Sequence, residues 1–181
     1  AALAVNASLT GHVVLSTIHT NSAAGTVPRL LDMKVEPFLL VSTINIIIGQ
    51  RLIRKLTDQK EKYFLTKAEP DTLGKSMNMD KVLDALKEEK VVGKSVKWDE
   101  VPFWRLKKDV NPDDGFSGRL GIHEIMKVSP AIKEMILKSG TSDEIQAVAE
   151  KEGMLTMFED GIFQAVQGNT TIEEVVRATS E

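Results

Sequence analysis

Residues 1–50 carry only four formally charged side chains: Arg29, Asp32, Lys34 and Glu36. A stretch with so little charge has no polar face to offer water, so it is expected to be covered on nearly every side. The rest of the chain is different. Charged residues make up 27% of the 181 residues and hydrophobic ones 42%, which is the balance of a globular chain with a real core. The net charge of −3 gives no global attraction to nucleic acid, and no nucleic-acid partner is expected. The absence of cysteine excludes disulfides and thiolate metal sites. No run of roughly 20 apolar residues is present to span a membrane. The chain opens as "AALAVNASL", inside an apolar helical pattern and without a methionine, so a fragment of a longer protein is expected.

The apolar stretch divides into elements. Ala1 to Leu9 reads as the end of a helix, and Val13 to Ile18 as a strand covered on both faces. Asn21 or Ser22 is placed to cap a helix bearing Val27, Leu30, Leu31 and Met33. Pro37 suits a first helical turn, which makes "PFLLVSTINIIIGQ" a helix, although its β-branched residues argue for a strand. "RLIRKL" alternates like a strand.

From Thr57 the chain turns polar, with turn signals at Glu69-Pro70-Asp71 and Asn111-Pro112-Asp113-Asp114-Gly115. One amphipathic helix, about Met79 to Lys90, lies within it. "KSVKWDEVPFWRLKK" reads as short strands around a turn, with Trp98, Phe103 and Trp104 as local core. Residues 57–117 are therefore expected to form an inserted subdomain. "GRLGIHEIM" reads as a strand. Four helices follow, opened by Ser129-Pro130, by "TSDE", by "TMFE" and by Thr170 with Glu173 at capping-box spacing. Helices this short need mutual packing, and a C-terminal helical bundle is expected.

Two of the three histidines fall in "LTGHVVLSTIHTN". His12 and His19 are an odd number of residues apart, so on a regular strand they face opposite ways and share no metal. His12 reads as a buried, hydrogen-bonded histidine. His19 stands at the carboxyl end of the expected strand, among Ser16, Thr17, Thr20 and Asn21, where α/β sheets bind ligands. Hydroxyl, amide and imidazole groups there suit phosphate oxygens and a water. Arg29, Arg51, Arg54 and Arg119 are candidates to pair with phosphate or carboxylate. Glu36, Glu124 and Glu159 have no partner that sequence identifies. No GxxxxGK[ST] loop and no GxGxxG is present.

The stretch "SLTGHVVLSTIHTNSAAGTVPRLLDMKVEPFLLVSTINIIIGQRLIRKL" resembles the histidine box and following helices of the secretion-superfamily ATPases, above all the type IV pilus assembly and type II secretion ATPases. "GRLGIHEIM" and "EGMLTMFEDGIFQAVQGNTTIEEVVRAT" resemble the end of the same proteins.

The resemblance implies an α/β fold: the C-terminal part of a RecA-like P-loop ATPase core. Residues 1–56 would be the second half of that core, 57–117 the insertion, and 118–181 a core strand plus the helical subdomain. It implies a cytoplasmic homo-hexamer, peripheral at the inner membrane through platform or assembly proteins, that couples ATP hydrolysis to pilus assembly or protein secretion. ATP and Mg would be bound mainly by residues upstream, so the chain alone would not hydrolyse ATP. His19 would sense the γ-phosphate and His12 would be structural. Thr17, Thr20, Asn21, Arg51 and Arg119 would lie near the nucleotide. The family's two C-x-x-C pairs would fall at Thr57 and Lys60 and at Lys108 and Asn111, so no zinc is expected, with hydrophobic packing in its place. The alternative is a non-enzymatic module that docks partners of the same machinery.

Overall fold

The computed structural model describes residues 2–66, 69–112 and 114–180. The chain is mixed α and β, and it divides into two compact units, Ala1–Gly49 with Glu124–Met154 and Gln50–His123 with Leu155–Glu181. Strand β1 (Ile46–Leu56) pairs with β4 (Phe116–Lys127), and β2 (Lys60–Phe64) pairs with β3 (Pro102–Leu106).

The first unit holds α1 (Ala2–Leu9), α2 (Thr26–Asp32), α3 (Pro37–Thr43), α6 (Pro130–Leu137) and α7 (Ser142–Lys151). Its core joins Val5, Ala23, Val27, Leu40, Ile47, Met126, Ile132, Ile136 and Ile145. Helix α3 packs on α1 and α6, and α6 packs on α7. Pro37 stands in the first turn of α3 as expected, but the helix stops at Thr43. The Ile46-Ile47-Ile48 run that follows belongs to β1, because three successive β-branched side chains lose rotamer freedom in a helix and fit a pleated surface. Helix α2 begins at Thr26 rather than at Asn21 or Ser22. The Ser22 hydroxyl accepts the Gly25 N–H at 3.0 Å, closing a turn before the helix instead of capping it.

The expected buried strand at Val13–Ile18 is the main departure. These residues form no strand, and Val13 and Leu15 are 92% and 93% exposed. A strand is stable only with a neighbour to take its backbone N–H and C=O groups, and no strand pairs with this segment among the described residues. The expectation that residues 1–50 are covered all round fails at the same place.

The second unit holds the two-stranded β2–β3 sheet, α4 (Glu69–Leu73), α5 (Met79–Glu88), a 3-10 turn at Trp98–Glu100, α8 (Met157–Val166) and α9 (Ile172–Thr179). Its core joins Ile53, Leu86, Phe103, Ile122, Ile162 and Val175. Strands β2 and β3 are antiparallel, with Lys62 opposite Trp104 and Tyr63 opposite Phe103. The tryptophan segment supplies one strand, β3, and its partner comes from β2. The Glu69-Pro70-Asp71 signal opens α4, with the Glu69 carboxylate accepting the Thr66 N–H at 2.6 Å. Asp113, inside the other turn signal, lies outside the described residues; Gly115 N–H reaches Asn111 O at 3.1 Å.

Side-chain caps set most helix starts. Asn78, Ser129, Thr141, Thr156 and Thr171 each accept a backbone N–H three residues on, and Thr141 and Thr156 form reciprocal boxes with Glu144 and Glu159. The last cap is Thr171 rather than Thr170, whose hydroxyl instead donates to Arg54 O at 2.9 Å. Helices α8 and α9 approach closely at Gly161, where a Cβ would collide with the Val175 side chain. Gly161→Ala is therefore expected to lower stability by about 1–3 kcal/mol through overpacking, read as the urea midpoint.

Candidate functional site

The segment after the exposed stretch folds back on itself through its own hydroxyls. Thr20 Oγ1 donates to Ser22 O at 3.1 Å and lies 3.0 Å from Thr26 Oγ1. Ala23 and Ala24, at 0% and 1% exposure, anchor the turn in the core. The result is an open concavity lined by His19, Thr20, Asn21, Ser22, Gly25, Pro28, Arg29, Asp32 and Ser142. Among the described residues the His19 ring has no hydrogen-bond or ion-pair partner, and it is exposed. One imidazole, three hydroxyls, an amide, a guanidinium and the Asp32 carboxylate thus line one volume of solvent. All of these but the carboxylate can donate hydrogen bonds to phosphate oxygens, and all can bond a water.

His19, Thr20 and Asn21 come together here as neighbours in sequence. Arg29, which sequence analysis named only as one of four candidate arginines, is the guanidinium of the concavity. Ser142 was not anticipated. It opens α7, and no local signal links it to His19. Thr17 is exposed and does not line the concavity.

His12 is exposed rather than buried, yet it is tied down. Its Nδ1 lies 3.2 Å from Ala7 O and 3.1 Å from Thr10 Oγ1. A carbonyl only accepts, so the bond to Ala7 requires the ring proton on Nδ1. His12 therefore ties off the last turn of α1.

The remaining arginines lie in the second unit. Arg51 donates to Ala178 O at 2.6 Å. Arg119 lines a shallow surface with Leu52, Ile53, Arg54 and Arg177. Arg54 stacks 4.3 Å over Phe116 and pairs with Glu174. The glutamates that sequence left without partners have them here: Glu124 accepts the Ala23 N–H, and Glu159 accepts from Asn78 N–H and pairs with Lys81. Glu36 flanks α3 without a side-chain cap.

At the positions of the family's cysteine pairs, Thr57 Oγ1 donates to Gly115 O at 3.1 Å and Lys60 Nζ to Gly168 O at 2.6 Å. No cluster of three metal-ligating side chains occurs among the described residues. Trp98 stacks on Phe103 at 6.5 Å and donates from its indole N–H to Met79 O. No helix among the described residues is long and apolar enough to cross a membrane.

The chain belongs to the type II/IV secretion system protein family, which matches residues 1–177. It is 35% identical to the type II secretion system protein E of Xanthomonas campestris pv. campestris, over 100% of this chain and 29% of that protein. It is 36% identical to the type IV pilus assembly ATPase PilB of Pseudomonas aeruginosa, over 100% of this chain and 29% of that protein. It is also 36% identical to the type II secretion system ATPase E of Vibrio cholerae, over 100% of this chain and 32% of that protein. The chain spans less than a third of the length of these relatives.

Proposed function

We propose that this chain is the C-terminal part of a RecA-like motor ATPase that couples ATP hydrolysis to type IV pilus assembly or type II secretion. The observation that carries the reading is the exposed His19 ring, without a partner among the described residues, in a concavity it shares with the Thr20, Ser22 and Ser142 hydroxyls, Asn21, Arg29 and Asp32. An imidazole there can donate to a γ-phosphate oxygen or bond the attacking water. Thr20, Asn21, Ser22 and Arg29 supply further contacts to the same phosphate. Thr17, Arg51 and Arg119 remain in the proposal as residues of the assembled nucleotide site. His12 has the structural role.

The exposed Val13 and Leu15, with Ile46, Ile48 and Ile125 each more than half exposed, support a reading in which further strands of the parent cover this apolar surface. In the parent, strands of the same ATPase domain cover this surface, and the segment Val13–Ile18 takes its place in the sheet. The phosphate loop and Mg ligands come from that upstream part. A cytoplasmic hexamer, held at the inner membrane by platform proteins, completes the reading. Residues 57–117 then stand as the insertion, with the Trp98–Phe103 stack in place of zinc, before the core strand and helical subdomain of 118–181.

The test is ATP turnover in the full-length parent. His19→Ala is expected to lower kcat by about tenfold or more, the loss of one oriented hydrogen bond to developing charge, with the melting point nearly unchanged. Wild-type turnover in that variant overturns the phosphate role. The present chain is expected to show no turnover and no tight ATP binding by titration calorimetry. Tight binding here supports a self-sufficient nucleotide site instead.

A further inference from the structure

Glu124 lies on β4, is 5% exposed, and forms no ion pair among the described residues. Its Oε1 accepts the backbone N–H of Ala23, 101 positions away in sequence. Ala23 directly follows His19–Ser22, the residues that line the concavity. Gly49 on β1 lies against the same bond. A Cβ there would stand 2.8 Å from Glu124 Cγ and 3.2 Å from the Ala23 nitrogen. Three distant segments thus meet at one point: the first supplies an amide, the second a carboxylate, and the third the room for both.

A buried carboxylate is costly unless it is hydrogen-bonded, and a charge-assisted bond to an N–H is about twice as strong as a neutral one. An apolar side chain at 124 would pack the same space without that cost. What the carboxylate adds is direction, because it fixes where one particular amide stands. The other bonds of the loop, Thr20 to Ser22, Gly25 to Ser22 and the Thr20–Thr26 hydroxyl pair, are local and set its shape. Among the described residues, only the Glu124 bond ties that shape to the sheet.

We propose that Glu124 is a positioning residue for the nucleotide-facing loop, setting the place of His19 through the Ala23 amide, with Gly49 required to let the bond form. The proposal rests on the reading of His19 given above.

Two measurements test it. The first is amide hydrogen exchange on the present chain. Glu124→Ala is expected to speed exchange at residues 20–25 by about tenfold or more, with α6 and α7 unchanged. Glu124→Gln, which keeps an acceptor oxygen, is expected to restore much of the protection. The second is steady-state ATPase activity of the full-length parent. Glu124→Ala is expected to lower kcat by about tenfold with KM for ATP little changed, and Glu124→Gln to regain most of the loss. Gly49→Ala, which pushes a methyl into the same bond, must reproduce both effects, and it replaces Glu124→Ala should that variant fail to fold.

Exchange that rises across the whole first unit, or no rescue by glutamine, overturns positioning in favour of a general packing role. Unchanged protection of residues 20–25 overturns it outright, as does wild-type kcat in a folded Glu124→Ala parent. Wild-type turnover in His19→Ala instead removes the phosphate reading alone, and the exchange pattern still decides whether Glu124 holds the loop.

Discussion

Replacing Glu174 with alanine is expected to destabilise the second unit by about 3 kcal/mol, and acid is expected to remove part of the same stability in the unaltered chain. Glu174 is 2% exposed. Its Oε1 accepts the Arg54 N–H at 3.0 Å and Arg177 Nη2 at 2.6 Å. Its Oε2 accepts Arg54 Nε at 3.0 Å, Arg54 Nη2 at 2.9 Å and Arg177 Nε at 3.1 Å. Burial pushes this carboxyl upward, but the bonds from Arg177 and Arg54 outweigh it and bring it down from 4.5 to about 2. A group lowered on folding contributes stability that is fully present above its unfolded value and is lost as pH falls through the folded one. Stability should therefore drop between about pH 4.5 and pH 2. The two guanidinium side chains are 46% and 53% exposed, so solvent screens the pair and the pH-dependent share is about 2 kcal/mol. Urea unfolding across that range measures it. Glu174→Gln should flatten the slope, and an unchanged slope would exclude Glu174 as its source.

The second large effect concerns Glu159, where alanine is expected to cost about 2–3 kcal/mol. This side chain is also 2% exposed, and it serves two helices at once. Oε2 accepts the Thr156 N–H at 2.9 Å, completing the cap of α8, and pairs with Lys81 Nζ at 2.6 Å. Oε1 accepts the Asn78 N–H at 3.0 Å, at the start of α5. Truncation strands the two backbone donors and removes the carboxylate that pairs with Lys81. Glu159→Gln keeps acceptors for the amides and should cost less than half as much. A denaturation midpoint for Glu159→Ala within experimental error of the wild type would show that those donors find other partners.

The two glutamates mark the line between what was legible in the sequence and what was not. The starts of α6 and α8 could be read because Ser129-Pro130 and the "TMFE" start act within one turn of chain, although the Thr156–Glu159 box was not foreseen. The amphipathic helix α5 and the strand from Gly118 to Met126 could be read from their periodicity. The second use of Glu159, on Asn78 and Lys81, left no trace, since those partners lie about 80 positions away. Thr170 and Thr171 both precede a glutamate by three residues, so spacing alone could not choose between them. The structure gives Thr170 to Arg54. Val13–Ile18 failed for a related reason: apolar composition says that a segment suits burial, and pairing depends on a neighbour that local sequence does not contain. Of the candidate site, the contiguous part was readable. Arg29 was one of four equal arginines, and Ser142 and Glu124 reach the loop from far along the chain.

The cap of α8 has a consequence for how this part of the chain opens. In an ordinary helix the first turn frays alone, because the cap belongs to that helix only. Here the carboxylate that closes the first turn of α8 also holds the amide that precedes α5 and the lysine in its first turn. Neither helix can release its start without loosening the other, so fraying at one becomes a joint event of both. Two short helices that would each be marginal alone begin and end their ordered lives as one cooperative piece.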